Sequence, residues 1–254
     1  MALITCDFFS ESLEFGTSMT VVLPQATQAQ VGVTPAGGGD GDGPPVLYLL
    51  HGMSDDHTAW LRYTSIERYA TAAGLAVVMP AAARSFYTDE AHGHAFWTFV
   101  ADELPEIVAS FFRVSTRPER TYVAGLSMGG YGAVRLAFAR PGRYAAAASL
   151  SGALDIVRRA DEPVRREEMH GRIFGGPPGP EHDLFALLGR ARPDDVPPLH
   201  ITCGTEDRLL EDSQEFIRRA QAKGLDVTSD FPPGDHEWGL WDRVIQDVIA
   251  WLPR

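Results

Sequence analysis

A serine flanked by glycines lies between a predicted strand and a predicted helix. Residues 125–129 have the sequence GLSMG, and the run TYVA directly before them is short, apolar and typical of a buried strand. The apolar spacing of residues 130–137 predicts a helix. A turn of this kind exposes the serine Oγ, and the helix N-terminus favours negative charge that develops nearby. Ser127 is therefore predicted to be the nucleophile of an acyl-transferring hydrolase.

The general base is sought among the histidines, because a serine hydroxyl is a weak nucleophile without a base within hydrogen-bonding distance. The chain has eight histidines. His236 directly follows the last predicted strand and precedes the last predicted helix. His51 also follows a strand, His200 lies inside one and is interpreted as structural, and the others lie on predicted loops or in residues 155–196. We therefore predict that His236 is the base.

An acidic residue must orient the base and stabilise its imidazolium form. Residues 205–207 have the sequence TED and follow another predicted strand. Asp207 is the predicted acid because its short side chain lies on a loop, and Glu206 is the alternative; either could instead cap the next helix. The order Ser127, Asp207, His236 is the Ser…Asp…His order of α/β-hydrolases.

Two backbone amides are expected to bind the oxyanion of the reaction intermediate. The first is the amide of Met128, the residue after the nucleophile. The second should come from the loop after strand 46–50, where Met53 is preferred and Gly52 is the alternative. Losing one such donor typically raises the barrier by about 3 kcal/mol.

Substrate contacts are predicted from residues close to these catalytic candidates. Gly52 brings the backbone close to the site, and Trp238 lies next to the predicted base. Trp60 is a further candidate, although aromatic residues at such positions commonly belong to the core. Trp97, Phe96 and Phe174 are candidates of the same kind.

Apolar strands alternate with helical patterns along the chain, which predicts βαβ units and a mostly parallel sheet. Ligands bind at the carboxyl ends of the strands in such sheets. Residues 17–24 and the stretch before them are predicted to be edge strands. The other predicted strands are 46–50, 75–80, 121–124, 144–150, 198–204 and 225–231. The predicted helices are 59–73, 100–112, the helix after Ser127, 209–222 and 239–252.

One α/β domain is expected over residues 1–254. Residues 155–196 contain several arginines and prolines but no buried strand, so they are predicted to be a cap-like insertion over the carboxyl edge of the sheet. Residues 36–45 (AGGGDGDGPP) predict a flexible turn, and their two aspartates resemble a calcium loop only superficially.

Composition excludes several classes of partner. The formal net charge of −12 argues against nucleic acids and anionic membrane surfaces. The two cysteines form no disulfide framework, and no Cys/His cluster suggests a metal. The first residues lack the basic and apolar regions of a signal peptide, and no segment has about 18 consecutive apolar residues. A cytoplasmic protein without a membrane span is expected.

Five motifs together resemble the esterase D family, and most of all its bacterial tributyrin-esterase-type carboxylesterases. The motifs are LLHGM at 49–53, DELP at 102–105, GLSMGGYGA at 125–133, CGTED at 203–207 and DHEW at 235–238. The resemblance implies an α/β-hydrolase fold, hydrolysis of short-chain acyl esters, no cofactor and a catalytic triad of Ser127, Asp207 and His236. A small-molecule ester is the implied partner, and a homo-oligomer is compatible with the sequence.

Related activities remain open at this point. S-formylglutathione hydrolases usually carry His before the nucleophile and a second His where this chain has Tyr131, whereas Leu126 precedes Ser127 here. The secreted mycolyltransferases share the fold but need an export signal. Acyl transfer to an alcohol or sugar uses the same triad, and a non-catalytic receptor or scaffold would commonly lack one of its members.

Overall fold

An eight-stranded sheet is the centre of the computed structural model, which describes residues 1–25 and 41–253. The strand order is β1-β2-β4-β3-β5-β6-β7-β8. The strands are β1 (Ala2–Ser10), β2 (Phe15–Leu23), β3 (Val46–Leu50), β4 (Ala76–Pro80), β5 (Thr121–Leu126), β6 (Ala146–Leu150), β7 (Leu199–Thr202) and β8 (Val227–Asp230).

Six of the strands, β3 to β8, run parallel to one another, which confirms the predicted mostly parallel sheet. The β1–β2 hairpin adds an antiparallel part, since β2 also pairs antiparallel with β4. The prediction that residues 17–24 form an edge strand is therefore wrong for β2, which is internal; β1 is the edge strand on that side. Most residues of β2 are buried, whereas those of β1 alternate between exposed and partly buried.

Helices cover both faces of the sheet. They are α1 (Ala59–Tyr63), α2 (Ile66–Ala73), α3 (Phe96–Thr98), α4 (Leu104–Phe111), α5 (Met128–Ala139), α6 (Ile156–Ala160), α7 (Pro163–Arg166), α8 (Leu184–Arg190), α9 (Leu210–Ala222) and α10 (Trp238–Trp251). The single helix predicted over 59–73 is two helices, because the Thr64 hydroxyl donates to the Trp60 carbonyl and accepts the Ile66 amide. The predicted helix 100–112 is part of a longer helical segment that begins at Phe96 and includes a π-helical turn.

The strands in the middle of the sheet are buried on both faces, as their continuous apolar sequences predict. Two hydrophobic clusters lie on opposite sides of them. One includes residues of α4, α5, α8 and α9, and the other includes residues of α2 and α10.

Residues 155–196 contain α6, α7 and α8 and no strand within the described chain, in agreement with the sequence pattern. Their apolar residues, including Ile156, Met169 and Leu184, belong to the same cluster as α5 and α9. A buried ion pair also ties the segment to α9, since Arg159 Nη2 lies 2.7 Å from Asp212 Oδ2. The insertion is therefore packed on the sheet and its helices.

Part of the predicted flexible turn at 36–45 lies outside the described residues, namely positions 36–40. In the described remainder, Asp42 forms an ion pair with Arg117 at 2.8 Å. Among residues 1–25 and 41–253, no helix has the length and apolar character needed to cross a membrane.

Candidate active site

Ser127 occupies the sharp turn between β5 and α5. Its backbone has φ 53° and ψ −115°, a conformation that non-glycine residues rarely adopt. The two flanking glycines are required by close packing: a Cβ on Gly125 would lie 2.4 Å from the Gly129 carbonyl oxygen, and one on Gly129 would lie 2.5 Å from the Leu50 carbonyl oxygen. The turn therefore holds the Ser127 side chain at the carboxyl edge of the sheet.

Three predicted catalytic residues from distant parts of the chain lie in hydrogen-bonding contact. Ser127 Oγ is 3.1 Å from His236 Nε2, and His236 Nδ1 is 2.8 Å from Asp207 Oδ2. His236 is on the loop between β8 and α10, and Asp207 is on the loop between β7 and α9. The parallel strands bring these loops together because their carboxyl ends share one edge of the sheet.

The Asp207 carboxylate makes two contacts at once. Its Oδ1 accepts the backbone N–H of Leu209 at 2.9 Å, while its Oδ2 faces His236. Burial raises the pKa of Asp207, but the hydrogen bond and charge of His236 outweigh that effect and lower the pKa overall. Asp207 thus contacts the base and also binds the backbone of the turn before α9, without capping that helix itself.

Glu206, the alternative acid, is directed elsewhere. It is exposed, and its carboxylate accepts the backbone N–H of Gly234 at 2.5 Å. This contact stabilises the loop that leads to His236 without involving the imidazole. The structure thus places Asp207, and not Glu206, beside the base.

Two residues that sequence reasoning missed support the Asp207–His236 pair. The Trp241 indole N–H donates to Ser151 Oγ at 3.1 Å, and the Ser151 hydroxyl helps to lower the pKa of Asp207. The Trp241 ring also packs edge-on against the His236 ring, with centroids 4.9 Å apart. The position of Ser151 directly after β6, at the same edge of the sheet, is the signal that could have identified it.

The predicted oxyanion donors have free amides in the described part of the chain. Neither the Met128 N–H nor the Met53 N–H donates to a protein acceptor there. The Gly52 N–H, the alternative donor, instead faces the Asp55 carboxylate and lowers its pKa, although burial raises that pKa more strongly. A Cβ on Gly52 would lie 2.7 Å from Leu126 Cδ1 and 3.7 Å from Ser127 Cβ, so this loop passes directly over the nucleophile.

His51 fixes the shape of the same loop and has no contact with Ser127. Its Nε2 accepts the Ala82 N–H at 2.9 Å, and its Nδ1 donates to the Gly52 carbonyl at 2.7 Å. Burial lowers the pKa of His51 to about 4, so the ring is neutral at pH 7. One neutral tautomer satisfies both contacts, which is consistent with a structural role.

The two tryptophans predicted to contact substrate occupy different environments. Trp60 has no exposed surface, and its indole N–H donates to the Leu50 carbonyl at 3.1 Å. α10 covers the Trp60 ring, which lies in the core, the alternative that the sequence left open for this residue. Trp238 is half-buried and packs edge-on against Trp60, with centroids 5.3 Å apart.

Residues 155–196 contact the loop that contains Met53. Arg165 of α7 lies with Nη1 2.7 Å from the Met53 Sδ. No group of three potential metal ligands occurs among residues 1–25 and 41–253. The candidate site therefore combines the three predicted catalytic residues, the Met128 and Met53 amides, and Arg165 in contact with the Met53 side chain.

Comparison with known proteins identifies the family. Residues 21–252 match the model of the Esterase family, described as "Putative esterase". The chain is 28% identical over 271 residues to an acetyl esterase of Caldicellulosiruptor saccharolyticus, with 100% of this chain and 99% of that protein covered.

Two solved structures from Staphylococcus aureus are similar over nearly their whole length. Fluorophosphonate-binding serine hydrolase F, with substrate bound, has a TM-score of 0.86 at 32% identity, covering 99% of this chain and 98% of that one. An S-formylglutathione hydrolase apoenzyme has a TM-score of 0.84 at 32% identity, with the same coverage of 99% and 98%. Since the family model also spans most of the chain, this protein belongs to the esterase D family of α/β-hydrolases and is a serine hydrolase of the carboxylesterase type.

Proposed function

We propose that this esterase hydrolyses short-chain acyl esters through an acyl-enzyme on Ser127. The observation that carries the proposal is the continuous contact from Ser127 Oγ to His236 Nε2 at 3.1 Å and from His236 Nδ1 to Asp207 Oδ2 at 2.8 Å. In this arrangement the base can take the serine proton while the acid stabilises the resulting imidazolium.

The reaction has two steps. Ser127 Oγ attacks the ester carbonyl, His236 accepts its proton, and the oxyanion of the tetrahedral intermediate binds the Met128 and Met53 amides. The C–O bond to the alcohol breaks, and His236 donates the proton to the departing alcohol. Water then attacks the acyl-enzyme with the same proton transfers and releases the acid and free Ser127.

Short acyl chains are favoured by the full-length similarity to an acetyl esterase. The experiment is a series of p-nitrophenyl esters of increasing acyl length, run beside feruloyl esters and S-formylglutathione. We expect the highest kcat/KM among the acetyl to butyryl esters. A maximum at long chains or at the feruloyl ester would contradict the substrate class.

A thioesterase acting on S-formylglutathione is the second candidate, since an S-formylglutathione hydrolase is 32% identical over 99% of this chain. Tyr131 argues against it. This residue, which takes the place of the second His in that group, is fully buried, and its hydroxyl donates to the His182 carbonyl at 2.8 Å. A kcat/KM for S-formylglutathione well above that for p-nitrophenyl acetate would favour the thioesterase.

Transfer of the acyl group to an alcohol or sugar uses the same triad and differs only in the acceptor. The two outcomes separate when ester consumed is compared with free acid released in the presence of candidate acceptors. We expect the two quantities to be equal. A shortfall of free acid that grows with acceptor concentration would identify a transferase.

A further inference from the structure

The α7 helix of the insertion places a positive charge beside the proposed oxyanion loop. Arg165 Nη1 lies 2.7 Å from Met53 Sδ, and Met53 is the residue whose amide we assign to the oxyanion. The Arg165 side chain keeps 27% of its surface exposed. The Arg165 side chain therefore contacts the loop that contains Met53 and remains partly open to solvent.

The charge of Arg165 is only weakly neutralised by its surroundings. Its one ion-pair partner in the described chain is Glu162, at 3.7 Å from Nε. The same carboxylate lies closer to Arg159, at 2.5 Å from Nη1. Burial lowers the pKa of Arg165 and the positive charges of Arg208 and Arg84 lower it further, while the carboxylates of Glu162 and Glu168 offset this only in part. A partly buried cation whose carboxylate partner lies closer to another arginine favours an additional anion.

Arg208 is a second cation near the same site. It directly follows Asp207, is exposed, and has a guanidinium without an ion pair or hydrogen bond among the described residues. Arg84 differs, because Glu168 binds it through two hydrogen bonds of 2.7 and 2.8 Å. In a chain of net charge −12, two incompletely neutralised arginines close enough to affect each other form a local positive field.

We propose that the favoured substrates are esters that carry a carboxylate, and that Arg165 binds this carboxylate while Arg208 adds to the attraction. The proposal rests on the function proposed above and narrows its substrate class. A planar guanidinium binds a carboxylate through two parallel hydrogen bonds, which fix the orientation of the substrate as well as attracting it. The bond-breaking steps at Ser127 are the same as for a neutral ester.

Matched ester pairs test the proposal, each pair differing only in whether the distal carboxylate is free or methylated. Mono-p-nitrophenyl adipate and its methyl ester place the charge on the acyl side. p-Acetoxybenzoate and its methyl ester place it on the alcohol side. The measured quantity is the ratio of kcat/KM for the charged member to kcat/KM for the neutral member, followed through release of the phenol.

Arg165→Met is the decisive variant, because methionine preserves an apolar contact with the Met53 side chain but removes the charge. For at least one pair, we expect the charged-to-neutral ratio to fall by about tenfold, as for loss of a charge-assisted contact. Arg166→Met is the matched control on the same helix, with an exposed side chain, and should preserve the wild-type ratio. The wild-type preference should also weaken at high salt.

The outcomes separate failure of this proposal from failure of the proposed function. An unchanged ratio in Arg165→Met for both pairs, or a wild-type ratio that salt does not alter, would overturn the carboxylate site while leaving the esterase intact. If Arg165→Met does not fold, Arg208→Met must lower the ratio by several-fold, and an unchanged ratio there overturns the proposal. Absence of hydrolysis of every neutral ester by the wild type would instead contradict the proposed function.

Discussion

The Trp241 ring stands edge-on to the His236 ring, with centroids 4.9 Å apart and an interplanar angle of 87°. The same tryptophan donates its indole N–H to Ser151 Oγ, next to Asp207. Trp241 therefore contacts the base directly and the acid through one intermediate hydroxyl. This arrangement restricts the orientation of both groups, which the proposed proton transfer requires.

Removing the indole N–H should slow catalysis while keeping the aromatic contact. We expect Trp241→Phe to lower kcat about fivefold, since a net hydrogen bond contributes about 1 kcal/mol. Ser151→Ala should have a similar effect, and the double variant should lose little more than either single variant because both act through one contact. Fully multiplicative effects of the two substitutions on kcat would contradict this coupling.

Asp207 and Glu206 form a matched pair of neighbouring carboxylates. Asp207→Asn should lower kcat by about 10⁴-fold, because the amide cannot stabilise the imidazolium. Glu206→Gln should remain close to wild type, since its carboxylate is exposed and contacts the Gly234 amide. Steady-state kinetics on p-nitrophenyl acetate distinguish the two. Equal losses in both variants would show that Asp207 is not the acid.

A side chain at Gly52 should displace the oxyanion loop. A Cβ there would lie 2.7 Å from Leu126 Cδ1 and 2.9 Å from Asp55 Oδ2. We expect Gly52→Ala to lower kcat about 100-fold, the typical effect of losing one oxyanion donor. Gly189→Ala is the control, because no atom lies within 4 Å of its added Cβ. A Gly52→Ala variant with wild-type kcat would contradict the placement of the loop.

Acid should destabilise the fold through His51. Its pKa is about 4 in the folded protein because the ring is buried, below its ordinary value of 6.5. The unfolded chain therefore binds more protons below pH 6.5, and the free energy of unfolding falls between pH 6.5 and 4 by up to about 1.4 kcal/mol per pH unit. Urea unfolding across this range should show a shallower dependence for His51→Gln, and an identical dependence would contradict the assignment.

Ser127 and Asp207 could be placed at strand ends from the sequence because each follows a buried strand, whereas the strand before His236, β8, is short and mostly exposed. Strand 46–50 and the strands before Ser127 and Asp207 have continuous apolar runs, so their carboxyl ends could be located. Parallel pairing then places those ends together without knowledge of any side-chain contact. The internal position of β2 was missed, since strand order depends on pairing between distant segments.

Side-chain contacts between distant segments, other than those among the three predicted catalytic residues, could not be predicted. The Trp241–Ser151 hydrogen bond joins positions 90 residues apart, and the Arg165–Met53 contact joins positions 112 apart. The full burial of Trp60 likewise depends on how α10 packs over α1, which its local sequence does not encode. These contacts follow from tertiary packing, which overrides local patterns.

Labelling of Ser127 by a fluorophosphonate, combined with hydrolysis of p-nitrophenyl butyrate, tests the central claim most directly. We expect one label per chain, located on Ser127 by peptide mass spectrometry, and loss of both label and hydrolysis in Ser127→Ala. A Ser65→Ala control should label and hydrolyse as the wild type does. Wild-type hydrolysis by Ser127→Ala, or labelling of a different residue, would contradict the account.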